Sequence, residues 1–176
     1  MIFSKVLFFI AVCTARVQER PGQKNDKYQA AGILIRVGSR FDRALVIWDF
    51  RGFWDFPFGK RDRKDDHYPI ETAIREAREE IGASEKNLLK HLGVLANPVV
   101  IYDKTSVLYI AKYDQNLYSE MGLRHDRKIT HGGREGNKWE IPKIESLLDG
   151  SFERKYGKVR GIAKYFLRQA RKQGKL

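Results

Sequence analysis

One cysteine, Cys13, occurs in the 176 residues. The chain therefore has no disulfide framework, no cysteine-ligated zinc site and, once its first residues are removed, no thiol nucleophile. Its N-terminal apolar run, Val6 to Val12, is far shorter than the ~20 residues a membrane-spanning helix needs. Histidine is scarce, and His125 and His131 lie in a polar, glycine-containing stretch with no close-spaced Cys or His partner, which is not a zinc spacing. There is no internal repeat and no low-complexity run. Acidic residues are outnumbered, 22 against 34 Lys and Arg, for a formal charge of +12. Such a balance favours a polyanionic partner.

What is present fits one globular domain with short extensions: 42% of the residues are hydrophobic, and the length supports a proper core. Residues 1–15 combine Lys5, the apolar run and small residues at Cys13 and Ala15, which reads as a secretory signal peptide cleaved after Ala15. That places the protein in the secretory pathway or outside the cell; the alternative is a buried strand and a cytoplasmic protein. Residues 16–27 are polar, contain Pro21-Gly22 and read as a linker. The catalytic domain is expected over 28–150, followed by a C-terminal segment over 151–176. Strands are expected over 28–37, 43–50, 88–95 and 105–113, the last two broken by Asn97-Pro98 and Tyr102-Asp103-Lys104.

The informative stretch is Trp54 to Ala83. Ile70, Ala73, Ile74, Ala77 and Ile81 recur at helical spacing, Pro69 suits the first helical position, Asp65 or Asp66 can supply an anion just before it, and Gly82 can terminate the helix. At 3.6 residues per turn, Glu76, Glu79 and Glu80 share an arc of roughly 100°. Like charges so placed repel, and Arg75 and Arg78 screen only part of that. A divalent cation would offset the rest. Phe56-Pro57-Phe58-Gly59-Lys60 precedes the helix as a rigid turn with a permissive glycine, so backbone carbonyls and carboxylates could meet on one hard cation.

Gly59, Arg75, Glu76, Glu79, Glu80 and Gly82 match the pattern G-x5-E-x7-R-E-U-x-E-E-x-G-U, where U is bulky and aliphatic. The stretch thus resembles the Nudix box of the Nudix hydrolases. It departs from the box in having Asp65 where the first Glu stands, nine rather than seven residues before Arg75, and Ala77 and Ala83 in the aliphatic slots. The resemblance implies an α/β Nudix fold, a mixed β-sheet sandwiched between helices. It also implies hydrolysis of a phosphoanhydride in a nucleoside diphosphate linked to another group, with Mg²⁺ or Mn²⁺ as cofactor. Glu76 and Glu80 would be the principal metal ligands, with Glu79 and the Gly59 carbonyl completing the site. Arg75 would orient the carboxylates, with Asp65 in the place of the family's arginine-pairing acid, and Lys60 and Arg61 could reach a phosphate. The general base would be a helix glutamate, Glu79 or Glu80, or the later Glu135.

Trp54-Asp55-Phe56-Pro57-Phe58-Gly59-Lys60 is similar to the F-P-x-G-K sequence of the mRNA-decapping catalytic subunit, in which a later E-I-x-K-I-x-W segment carries a catalytic glutamate. Glu135-Gly136-Asn137-Lys138-Trp139 resembles that segment but is two residues shorter. Residues 151–176 carry nine Lys and Arg against one Glu, which is +8 of the formal +12. With Val159, Ile162, Ala163, Phe166, Leu167 and Ala170 at helical spacing, they read as a basic amphipathic helix docked by its apolar side. Arg160, Lys164 and Arg168, with Lys138, then form a face for RNA, since an extended polyanion rewards an extended cationic surface through counterion release. The expected function is a pyrophosphohydrolase acting on an RNA 5′ end. The alternative is a pyrophosphatase of ADP-ribose, dinucleoside polyphosphates or diphosphoinositol phosphates, with the basic helix on another polyanion or an acidic membrane surface.

Overall fold

A computed structural model describes residues 28–62, 66–91, 99–103, 105–113 and 138–176. The central strand, β1 (Ala30–Val37), pairs parallel with a later long strand, from Ala30 opposite Ser106 to Val37 opposite Tyr113. Strands covered on both faces read as continuous apolar runs, and Ala-Ala-Gly-Ile-Leu-Ile is such a run. The other edge of β1 is shared by two short antiparallel strands. β2 (Arg43–Ala44) pairs with its end, and β5 (Phe58–Lys60) with its beginning, placing Gly59 opposite Ala31. Between them lies a hairpin of β3 (Val46–Trp48) and β4 (Trp54–Asp55), whose sheet is completed by β8 (Trp139–Glu140).

Two helices follow β5: α1 (Pro69–Ile81) and α2 (Glu85–His91). The apolar stripe read from the sequence is the buried one, since Ile70, Ala73, Ile74, Ala77 and Ile81 all join the core. Gly82 caps α1 with φ 67°, a conformation that favours glycine. At the other end, the Glu71 carboxylate accepts the Tyr68 amide at 2.9 Å. The chain then enters β6 (Val99–Asp103) and β7 (Ser106–Tyr113), an antiparallel pair. Three helices close the other face: α3 (Ile144–Leu148), α4 (Ser151–Tyr156) and α5 (Gly161–Lys172).

Side-chain alternation divides the core. Ala31, Ile33, Ile35 and Val37 of β1 face α1, whereas Leu34, with Ile101, Leu108 and Ile110, faces Phe152, Ala163, Phe166 and Leu167. This is the expected mixed sheet between helices. Among the described residues, no helix is long and apolar enough to cross a membrane.

Four expectations change. The strand expected over 43–50 is two short ones, β2 and β3, in different sheets. Residues 88–91, expected to begin a strand, belong to α2; the Ser84 hydroxyl accepts the Asn87 amide at 3.2 Å and opens a helical turn, and residues 92–98 lie outside the described part. Residues 99–103, expected to hold a strand break, form β6, because pairing with β7 satisfies that backbone. The C-terminal segment, expected as one helix, is two. Gly157 adopts φ 105°, and the chain beyond it runs along β4, with the Trp54 amide donating to the Lys158 carbonyl at 2.9 Å and the Arg160 amide to the Trp54 carbonyl at 2.8 Å.

Candidate metal and phosphate site

The β5 to α1 junction brings the glycine and the carboxylates together. A Cβ built on Gly59 would overlap the Glu76 carboxyl group, so only glycine lets that carboxylate lie against the β5 backbone. One turn on, Glu80 accepts the Phe58 amide at 3.1 Å. Glu76 and Glu80 thus both rest on the three-residue strand that carries Gly59.

Burial dominates the electrostatics. Glu80 is pushed up to about 9, first by desolvation, then by the neighbouring Glu76, with further contributions from Asp55 and Asp49. Burial also raises Glu76, against the pull of Arg75. Asp55, buried in β4, is raised to about 6 by desolvation even though Arg160 donates to it at 2.9 Å. A site that raises the pKa of several carboxylates penalises their shared negative charge.

Arg75 is the hub beside them. Its guanidinium donates to the Lys60 carbonyl at 2.7 Å, and lies 2.7 Å from Glu76, 3.1 Å from Glu79 and 2.9 Å from Asp66. Asp66 also accepts from the Thr72 hydroxyl at 2.8 Å and the Asp62 amide at 2.9 Å. Burial would raise Asp66, but Arg75 and these donors hold it below the ordinary carboxylate range. Asp65 lies outside the described residues; its neighbour Asp66 is the acid paired with Arg75.

Arg61 turns inward, donating to the Asp66 carbonyl at 2.9 Å and lying 4.5 Å from the Tyr28 ring centroid. That brace fixes the start of the loop. Lys60 is exposed beside Gly59, and Lys138 is exposed before β8. On the C-terminal helices, Lys164 pairs with Glu153 at 2.9 Å, and Arg168 is exposed on α5. Glu135 lies outside the described residues. Sequence reasoning missed Asp55 and its partner Arg160 as neighbours of the site, because nothing in their spacing announces a contact across 105 positions.

The residues suit a hard cation in kind. Oxygen donors converge, the glycine lets the Glu76 carboxylate lie against the β5 backbone, and burial raises Glu80. Among the described residues, no three acidic or imidazole side chains already stand in metal-binding geometry; Arg75 holds Glu76 and Glu79 instead. Glu76 and Glu80, with the Gly59 backbone, are the oxygen donors that could hold a divalent cation here.

No protein-family model matches the sequence, and no curated protein does. Solved structures do match. A C. elegans Ap4A hydrolase binary complex has TM-score 0.51 and 18% identity, covering 82% of this chain and 97% of that one. A second C. elegans Ap4A hydrolase structure has TM-score 0.48 and 16% identity, over 81% and 96%. The R-E-x-x-E-E-x-G helix, placed against its glycine-bearing strand, is carried on the fold of the first of these, and the chain has the Nudix fold.

Proposed function

We propose that the protein is a metal-dependent pyrophosphohydrolase that cleaves a phosphoanhydride in a nucleotide substrate. The observation that carries this reading is the convergence of Glu76 and Glu80 on the Gly59 backbone, beside the Arg75–Asp66 pair. A bound Mg²⁺ or Mn²⁺ supplies charge neutralisation and a water of lowered pKa. The chain's own work is to hold the carboxylates: Arg75 orients Glu76 and Glu79, and the Phe58 amide fixes Glu80. Lys60 is placed to meet a phosphate oxygen. Proton removal from the attacking water falls to Glu135 or to a helix glutamate, and Glu135→Gln compared with Glu79→Gln separates the two.

Small nucleoside polyphosphates are the first substrate class. A dinucleoside polyphosphate is what the neighbour's name states for that enzyme, and two of the three α5-region cations read from the sequence as an RNA face are spent within the chain, Arg160 on Asp55 and Lys164 on Glu153. The RNA 5′ end is the second reading, favoured by exposed Arg168 and Lys172 on α5, whereas Arg171 there pairs with Glu145. Residues 1–15 remain a proposed signal peptide, settled by sequencing the mature N-terminus.

The test is a turnover panel with Mg²⁺ or Mn²⁺ on Ap4A, ADP-ribose, a diphosphoinositol phosphate, triphosphorylated RNA, capped RNA and free cap analogue. Ap4A cleaved faster than either RNA supports the first class, whereas capped RNA cleaved with free cap ignored supports the second. Glu80→Gln is expected to abolish turnover of every substrate with the fold retained. Activity surviving in that variant would remove the metal assignment.

A further inference from the structure

The carboxylate site leaves unused a ladder of aromatic rings on the three-stranded sheet. Trp48 meets Trp54 edge-on at 5.3 Å between centroids, Trp54 meets Phe152 at 5.4 Å, and Phe152 stacks on Tyr156 at 4.8 Å. Trp54 is buried, and its indole N–H donates to the Tyr156 carbonyl at 2.9 Å, so the ladder is fixed from beneath. The large hydrophobic side chains exposed among the described residues are Phe50, 72% exposed at the β3–β4 turn, and Tyr156, 40% exposed at the end of α4. Trp48 lies between their segments: a Cβ on Gly52 would be 3.7 Å from its ring, and one on Gly157 3.1 Å. Both exposed rings adjoin a cation, with Arg51 5.1 Å from the Phe50 centroid and Lys155 4.7 Å from that of Tyr156.

We propose that Phe50 and Tyr156, backed by Trp48, form a subsite that stacks the nucleobase of a nucleoside polyphosphate, with Arg51 and Lys155 taking its nearer phosphates. The subsite deepens the nucleotide-hydrolase reading and rests on it for its substrate class. Rings paired with cations match a ligand that is itself a flat ring joined to anions. The location agrees. β4 leads directly into β5, and the five residue steps from Trp54 to Gly59 span at most about 18 Å of extended chain. Asp49 and Asp55, in the same hairpin, are near enough to Glu80 for their charges to act on it. A base held at the ladder would therefore lie on the hairpin that leads into Gly59 and Lys60.

The test uses the full chain with Phe50→Ala and Tyr156→Ala, singly and together, and Tyr156→Phe as the conservative control. Binding is measured by calorimetry for ATP and, separately, for inorganic tripolyphosphate, which has no base. The double variant is expected to bind ATP about tenfold or more weakly, with tripolyphosphate affinity unchanged and Tyr156→Phe close to wild type. ATP affinity unchanged in the double variant overturns the subsite, as does an equal loss for both ligands. Vesicles with anionic lipid form a further arm. If the variant loses vesicle binding while keeping ATP affinity, the patch is a membrane contact and the proposal fails. An ATP-specific loss in a protein that hydrolyses no nucleotide keeps the subsite and removes the hydrolase reading instead.

Discussion

At the residue scale, the site depends on one missing side chain and one crowded carboxylate. Gly59→Ala places a methyl group where the Glu76 carboxyl group already lies, so Glu76 or β5 must shift. A displacement of about 1 Å at a reacting group can cost ~100-fold in rate; the expected result is a loss of that order in kcat, with the thermal transition little changed. Glu80 gives a pH signature. The folded, metal-free chain keeps a proton on Glu80 up to about 9, whereas the unfolded chain releases it near 4.5. The folded state then binds more protons across that interval, so Glu80's contribution is full below 4.5 and declines as pH rises toward 9. Asp55 adds the same slope up to about 6. In urea titrations without metal, wild-type stability is expected to fall between pH 6 and 9 more steeply than that of Glu80→Gln, and saturating Mg²⁺ to flatten the difference, because cation binding expels the proton. Gly59 and the three glutamates were legible because their spacing is local. Asp66 was not singled out from Asp65, since the loop before the helix departs from the family's length and only the contacts with Arg75, Thr72 and Asp62 choose between two adjacent acids.

At the element scale, α1 is specified by its own sequence, whereas the C-terminal helices are set by a contact far away in the chain. The cationic period Arg160, Lys164, Arg168 and Arg171 runs on without interruption, but α5 carries only its last three members, with Arg160 capping the helix from the segment before it. What stops a single helix forming is Gly157, where the positive φ turns the chain so that residues 158–160 can add to β4. An alanine there meets both the conformational penalty and the Trp48 ring at 3.1 Å. Gly157→Ala is therefore expected to destabilise the fold by about 1–3 kcal/mol, read from chemical denaturation. Unchanged stability would mean that the break tolerates a side chain. The strand β6 was hidden for a related reason: Val99 to Asp103 has turn residues at both ends, and its partner β7 alone gives it a ladder.

At the scale of the whole molecule, positive charge and apolar burial share the same C-terminal residues and must be separated before either is assigned a role. Ala163, Phe166, Leu167 and Ala170 of α5 are buried against the sheet, with Phe152 beside them. Removing 151–176 would expose that entire face, so the truncated chain is expected to lose its cooperative transition; a loss of RNA turnover on truncation then says nothing about RNA binding. The cations divide by what they touch. Arg160 is tied to buried Asp55, and removing one partner of such a pair leaves the other unsatisfied; Arg160→Gln should act chiefly on stability. Arg168 and Lys172 are exposed on α5, so Arg168→Gln with Lys172→Gln should leave the fold intact. If the helix grips single-stranded RNA, that double change lowers the slope of log affinity against log salt by roughly 1.4, about 0.7 for each phosphate no longer neutralised, while Ap4A turnover stays constant. If RNA binding keeps its salt slope, the excess charge of this helix serves some purpose other than RNA, and the small-nucleotide reading stands on the carboxylate site alone.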